Sequence, residues 1–281
     1  DVDSWVSALY QKKWGYDEDQ LSTTHPIAGE VMSTKHAEAI FDGITYSKGA
    51  ASLKQLYYAI GHDNFSANLA NYFEKYKWSN TTLADFISEL NCGHDAGLDL
   101  ARWKQEWLEK AGLNAIEVEW DPNCQGTQVI KIRQSAVSKE HPTLRTHKID
   151  IAFFNADVHV VEVKTVIVNN TELTLLEVDN RAFAAVLPNY NDWSFVKVKL
   201  DARSLEFFKK NLHLLDTTLT RLMVIYSMFE MVRSASMKGT DFISIVAGQF
   251  LDECADNSQI MSIVIPLIGE VLHHYLPERV M

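Results

Sequence analysis

Ile116-Glu117-Val118-Glu119-Trp120 decides how this chain is organised. Apolar and acidic residues alternate strictly along it, which is the period of a half-buried strand. Upstream the apolar residues recur at helical spacing, so the period changes from 3.6 to 2 around Ala115. Leu53, Tyr57 and Ile60 continue a stripe begun at Ala50. Phe65, Leu69, Tyr72, Phe73 and Tyr76 form a second stripe. Leu83, Phe86, Ile87 and Leu90 form a third, with Thr82 placed as an N-cap three residues before Asp85. Trp103 and Trp107 mark a fourth helix, which Gly112 is expected to end. Aromatic stripes of this kind are read as core.

Downstream of the switch, short apolar runs follow one another. They are Val129, Ile130 and Ile132, then 149–154, 158–168, 173–178 and 195–200. Asn, Asp, Gly and Pro break them, and Glu140 to Arg145 interrupts as a loop. Closely spaced short strands predict a small β-sandwich. From about Asp201 the helical period returns. Leu219, Leu222, Met223, Tyr226, Phe229 and Val232 form one apolar face, with Glu230 off it. Phe242, Ile245, Val246, Gln249 and Phe250 make the next helix, with Gln249 as its polar member. Ile260, Ile263, Val264, Leu267, Ile268, Val271 and Leu272 make a third, with a kink expected at Pro266. Consecutive helices with short connections suggest an array. The expected fold is α+β and multidomain: 1–113 helical, 114–201 β-sandwich, 202–281 the first helices of a helical array. An array that stops after three or four helices would leave an apolar end face. Together with a start at Asp1, that suggests a processed or truncated piece.

The bulk numbers narrow the function. The chain has 281 residues, 47% of them apolar, and a formal net charge of −11. Its lysines and arginines are scattered, which argues against nucleic acid as a partner. No apolar run reaches the roughly 18 residues of a membrane span, and no signal peptide is expected from its first residues. Cys92, Cys124 and Cys254 lie far apart without a C-x-x-C pair, so buried thiols are expected rather than a disulfide framework. Three sequons, at Asn64, Asn80 and Asn169, do not establish secretion. The compartment stays open, with the cytoplasm the favoured reading.

The chemistry centres on Phe41-Asp42-Gly43-Ile44-Thr45-Tyr46-Ser47-Lys48-Gly49-Ala50. Other marked stretches are Thr24-His25-Pro26-Ile27, Asn80-Thr81-Thr82-Leu83, Trp103-Lys104-Gln105-Glu106-Trp107-Leu108, His141-Pro142-Thr143-Leu144-Arg145, Asp216-Thr217-Thr218-Leu219-Thr220-Arg221 and Met231-Val232-Arg233. In this order the chain resembles the rear half of a zinc aminopeptidase of the aminopeptidase N family, a gluzincin. The resemblance implies that 1–113 is the helical rear half of a thermolysin-like catalytic domain. It implies a parent enzyme that removes N-terminal residues from peptides. There, zinc polarises the scissile carbonyl and activates a water whose proton a glutamate takes. Tyr46 would hydrogen-bond the oxyanion as charge develops. A phenol, which keeps its proton at neutral pH, suits that role.

The family's zinc motif is H-E-x-x-H followed by a distant glutamate, and no histidine here begins one. His36-Ala37-Glu38 lacks the spacing, and His273-His274 are adjacent, whereas two ligands need i and i+4 on one helix face. The family's G-x-M-E-N segment, which clamps the substrate's amino group, is also absent. Both motifs lie upstream of the tyrosine segment in the family. The chain alone is therefore expected to bind no zinc and to be inactive, zinc belonging to the parent enzyme. Expected partners are a peptide substrate in the parent and the upstream part of the catalytic domain.

Blander readings stand beside these. Without the resemblance, Tyr46 is a packed helix-start aromatic. Lys48 reads as a solvated or ion-paired helix residue, and Gly49 and Ala50 as small residues that permit close packing. His25 reads as a structural hydrogen-bonding residue, and Ser47 has no visible triad. The Asp17-Glu18-Asp19 run reads as a solvated turn. For the whole chain, the alternative is a non-catalytic protein- or peptide-binding scaffold. A third possibility is non-covalent association with a zinc-bearing fragment.

Overall fold

Helix α1 (Ser4–Asp19) buries Val6, Leu9, Lys12, Gly15, Tyr16 and Asp19, one face repeated at intervals of about three residues. Two charged groups sit on that inner face, so the helix carries little apolar periodicity in its sequence. A computed structural model describes residues 4–91, 98–124, 126–169, 171–179, 183–250 and 258–277. After α1 come α2 (Thr34–Ala39), a π-helical turn (Ile44–Lys48) running directly into α3 (Gly49–Ile60), α4 (His62–Tyr76), α5 (Leu83–Leu90) and α6 (Leu100–Trp107). Thr82 is the N-cap of α5, as expected, and with Asp85 it forms a reciprocal capping box. Trp103 and Trp107 of α6 are fully buried, their indole N–H groups donating to Gln55 Oε1 and Thr146 O.

Two details of this helical part depart from the sequence reading. The inner face of α3 is Ala51, Ser52, Gln55, Leu56, Ala59 and Ile60, and Leu53 is exposed. Gln55 accepts from Trp103 and Ser52 donates to Lys48 O, so satisfied polar groups take core positions that an apolar stripe would miss. Helix α6 ends at Trp107, capped by Leu108, five residues before Gly112 would end it. Gly112 serves the connection instead: its φ is +80°, and a Cβ there would lie 2.7 Å from His141 Cβ.

Seven strands follow: β1 (Asn114–Glu119), β2 (Gln128–Ala136), β3 (His147–Phe154), β4 (Val160–Val168), β5 (Leu173–Val178), β6 (Ala185–Tyr190) and β7 (Lys197–Lys199). They form sheets of order β5-β2-β1-β7 and β4-β3-β6. Pairing is antiparallel except between β1 and β7. Ile116, Ile130 and Ile132 of the first sheet share a core with Ile149, Ile151 and Phe153 of the second, so the sheets face each other. Strand β2 alternates buried and exposed along most of its length. Strand β6 was not anticipated, and the expected strand at 195–200 shrinks to β7.

Helices α7 (Ala202–Asn211), α8 (Thr218–Arg233), α9 (Gly239–Phe250) and α10 (Ser258–His274) complete the chain, with a 3-10 turn at Leu212–Leu214. Helix α10 continues through Pro266. Helix α8 is buried from Leu222 to Val232 without a break, so Glu230, read as off the apolar face, is inside. Cys124 is half-buried, against the expectation of a buried thiol, with Sγ 3.8 Å from Thr127 O. Cys92, Cys254 and Asn170 of the third sequon lie outside the described residues. Among the described residues no helix is long and apolar enough to cross a membrane. The architecture is α+β.

Candidate functional site

The π-helical turn at Ile44–Lys48 presents two side chains in opposite senses. Tyr46 is 46% exposed, whereas Lys48 is fully buried. Two positions apart on a helical turn, residues point to opposite sides, so one face of the turn meets solvent and the other meets the core. Phe41, also exposed, packs edge-on against the Tyr46 ring with centroids 4.6 Å apart. The wide turn closes where Gly49 N donates to Ile44 O. Single π turns inside α-helices are frequent at functional sites.

The turn is gripped at its start. Asp42 Oδ1 accepts from the backbone N–H of Ile44 (3.0 Å) and Thr45 (2.9 Å). Asp-Gly at this place is a legible turn signal, since a short carboxylate caps the amides two and three residues on. His25 binds the other Asp42 oxygen through Nε2 at 2.7 Å, and its Nδ1 lies 2.8 Å from Pro26 O. The structural reading of His25 therefore holds. Burial alone would raise the Asp42 carboxyl, but the Thr45 amide and then the His25 ring outweigh it and hold it below the usual carboxylate range. Gly43 N donates to Glu18 Oε2 at 3.1 Å. A Cβ on Gly43 would lie 2.7 Å from Trp14 O, so only glycine lets the turn lie this close to α1.

The turn is gripped again at its end. Lys48 Nζ lies 3.2 Å and 3.0 Å from the two Asp19 oxygens, both side chains without solvent exposure. It also donates to Gly112 O at 3.0 Å. Asp19 Oδ1 further accepts from Gly112 N (3.1 Å) and Thr24 Oγ1 (2.7 Å). Burial drives the Lys48 ammonium down to about 8, against the Asp19 carboxylate, which supports its charge. The Asp17-Glu18-Asp19 run is therefore no solvated turn. It is the last turn of α1, and two of its carboxylates hold the Tyr46 segment from either end. Lys48 is ion-paired, as one reading had it, but not solvated. Residue order alone pointed to Tyr46, with Lys48 and His25 read as structural or solvated. It missed Glu18, Asp19 and Gly112, because their partners lie 25, 29 and 93 residues away in the chain.

The other residues weighed on sequence grounds stay apart from this turn's exposed face. Ser47 is buried. His36, in α2, accepts from the backbone N–H of Met32 before it, and His273 and His274 end α10.

Residues 2–138, which contain the whole turn and its grips, match the Peptidase family M1 domain. Over 255 residues the chain is 34% identical to Aminopeptidase N of Streptomyces lividans, covering 86% of this chain and 30% of that protein. The chain belongs to the aminopeptidase N family. Within this family it is also 35% identical over 100 residues to Probable aminopeptidase 2 of Sulfurisphaera tokodaii, covering 36% of this chain and 12% of that protein. To the Leucyl aminopeptidase of Saccharolobus solfataricus it is 31% identical over 110 residues, 39% of this chain and 14% of that protein. The chain spans less than a third of the length of these relatives.

Zinc is the metal of the M1 family in general, so the donor set bears on the site. Among the described residues no group of three or more His, Cys, Asp or Glu side chains is placed to hold a metal ion. His25 and Asp42 are committed to each other and to backbone, and Asp19 to Lys48, Gly112 and Thr24. The described residues do not fit a zinc centre.

Proposed function

We propose that the chain is part of a metallo-aminopeptidase that removes N-terminal residues from peptides, and that Tyr46 is its oxyanion donor. One observation carries this reading: within the family match, a half-exposed phenol stands on a turn locked at both ends. A donor held in place before reaction stabilises charge that develops on the carbonyl oxygen at little reorganisation cost. Its hydrogen bond strengthens as that oxygen becomes anionic, so it acts on the transition state more than on the bound peptide. The metal, the general base and the amino-group clamp are assigned to polypeptide outside these 281 residues, because H-E-x-x-H and G-x-M-E-N are absent from them. On the same reading, 1–113 is the helical rear half of a thermolysin-like catalytic domain, 114–201 a β-sandwich and 202–281 the first helices of a helical array. The changes of period at Ala115 and Asp201 support that division.

The test is Tyr46→Phe in the full protein that carries this chain. Loss of one oxyanion donor is expected to lower kcat by about 10²–10³. The Tm should hold, because Tyr46 is largely exposed and the ring is kept. Unchanged kcat sinks the assignment. The purified 281-residue chain with added zinc should release no amino acid from peptides, and robust zinc-dependent release would overturn the view that it is inactive alone.

A further inference from the structure

The buried ion pair behind the turn is costly to keep. Replacing such a pair with apolar residues of similar volume is often neutral or stabilising, so stability alone does not account for it. Its geometry offers another account. Asp19 ends α1, Lys48 ends the π-helical turn, Thr24 belongs to the loop before α2, and Gly112 lies in the connection between α6 and β1. Four segments thus meet on one carboxylate and one ammonium, and every bond there is directional. Lys48 lies two residues beyond Tyr46 on the opposite side of the same turn. Withdrawing or rotating Lys48 therefore swings the Tyr46 phenol.

We propose that Lys48 and Asp19 are positioning residues for Tyr46, fixing the rotation of the π-helical turn so that the phenol meets a peptide carbonyl. The inference rests on the reading of Tyr46 as the oxyanion donor. Neither residue touches substrate, and each acts through the turn.

A double-mutant cycle in the full protein tests it, with kcat and KM measured on a peptide substrate. Asp19→Asn/Lys48→Met removes both charges of the pair together, so the buried Arg145 guanidinium loses the attraction of Asp19 and the repulsion of Lys48 at once. In the Tyr46 background kcat is expected to fall by roughly 10- to 100-fold, the scale on which a small misplacement of a reacting group acts. KM should change less than about twofold, as for an interaction made only in the transition state. In the Tyr46→Phe background the same replacement should change kcat by less than about twofold, because the group being positioned is gone. If the double replacement does not fold, Lys48→Gln keeps a donor toward Asp19, whose carboxylate still accepts from Gly112 N and Thr24 Oγ1, and goes through the same cycle. Equal losses in both backgrounds overturn the inference and leave the oxyanion reading standing. So does unchanged kcat in the Tyr46 background when Tyr46→Phe is itself severe. A fully active Tyr46→Phe overturns both.

Discussion

His147 is neutral by construction. It is fully buried, its ring nitrogens 2.8 Å from Ser194 Oγ and 3.1 Å from Gln134 Oε1, with the Trp107 ring edge-on at 5.1 Å. Burial first, and the Arg145 charge second, lower it to about 3 from the ordinary 6.5. Between those values the unfolded chain holds a proton that the native chain does not. The state that binds more protons gains as pH falls, so His147 makes stability drop on acidification through that window. Urea midpoints at pH 7 and pH 4 should therefore fall less in His147→Gln than in the parent chain. Equal falls would show that other groups set the acid sensitivity. Lys48 teaches a related lesson. Nothing local in Ser47-Lys48-Gly49 distinguishes a solvated lysine from a buried one, and its environment is set by an aspartate 29 residues earlier.

Among the elements, the π-helical turn depends on one missing side chain. Gly43→Ala would place a Cβ within 2.8 Å of Trp14 backbone O and C, neither of which can yield as a flexible side chain would. A cost of about 1–3 kcal/mol in urea unfolding is expected for this overpacking. Gly29→Ala, with nothing within 4 Å of its Cβ, should stay within about 0.5 kcal/mol. If the two variants match, the close approach of α1 to the turn is not what the glycine serves. Several elements were legible because their signals are local: the alternation in β1, the apolar run of β2 and the N-cap at Thr82. Strand β6 was not. Ala185-Val186-Leu187-Pro188-Asn189 is buried throughout, so it does not alternate, and its proline argues against a central strand. The structure resolves this by placing β6 at the edge of its sheet, where a missing N–H is tolerated. Helix α1 lies within the stretch read as helical, but its apolar face was not legible, since a lysine, a glycine and an aspartate occupy its buried side.

Across the whole molecule, α1 is tied to the facing sheets and the C-terminal helices by charge. Lys12 pairs with Asp192, beyond β6. Arg233 of α8 lies 2.5 Å from Asp17 and 3.3 Å from Glu230, and Glu230 lies 2.6 Å from Lys197 of β7. Glu230→Ala would take the carboxylate from mostly buried Lys197, while Arg233 keeps Asp17. Breaking a buried pair from one side costs about 3–5 kcal/mol, so a clear loss is expected in urea unfolding. A loss under about 1 kcal/mol would mean that water or another carboxylate replaces Glu230. The sequence by itself determined the α+β class, the succession of helices, strands and helices, and the segment that bears Tyr46. Those follow from periodicity and short motifs, which neighbouring residues encode. The tertiary structure alone decided that Asp19, Lys48 and Glu230 are interior, and that an acidic run grips the tyrosine turn. Those charges are buried by partners from 3 to 210 residues away, and chain order does not reveal which charges will meet.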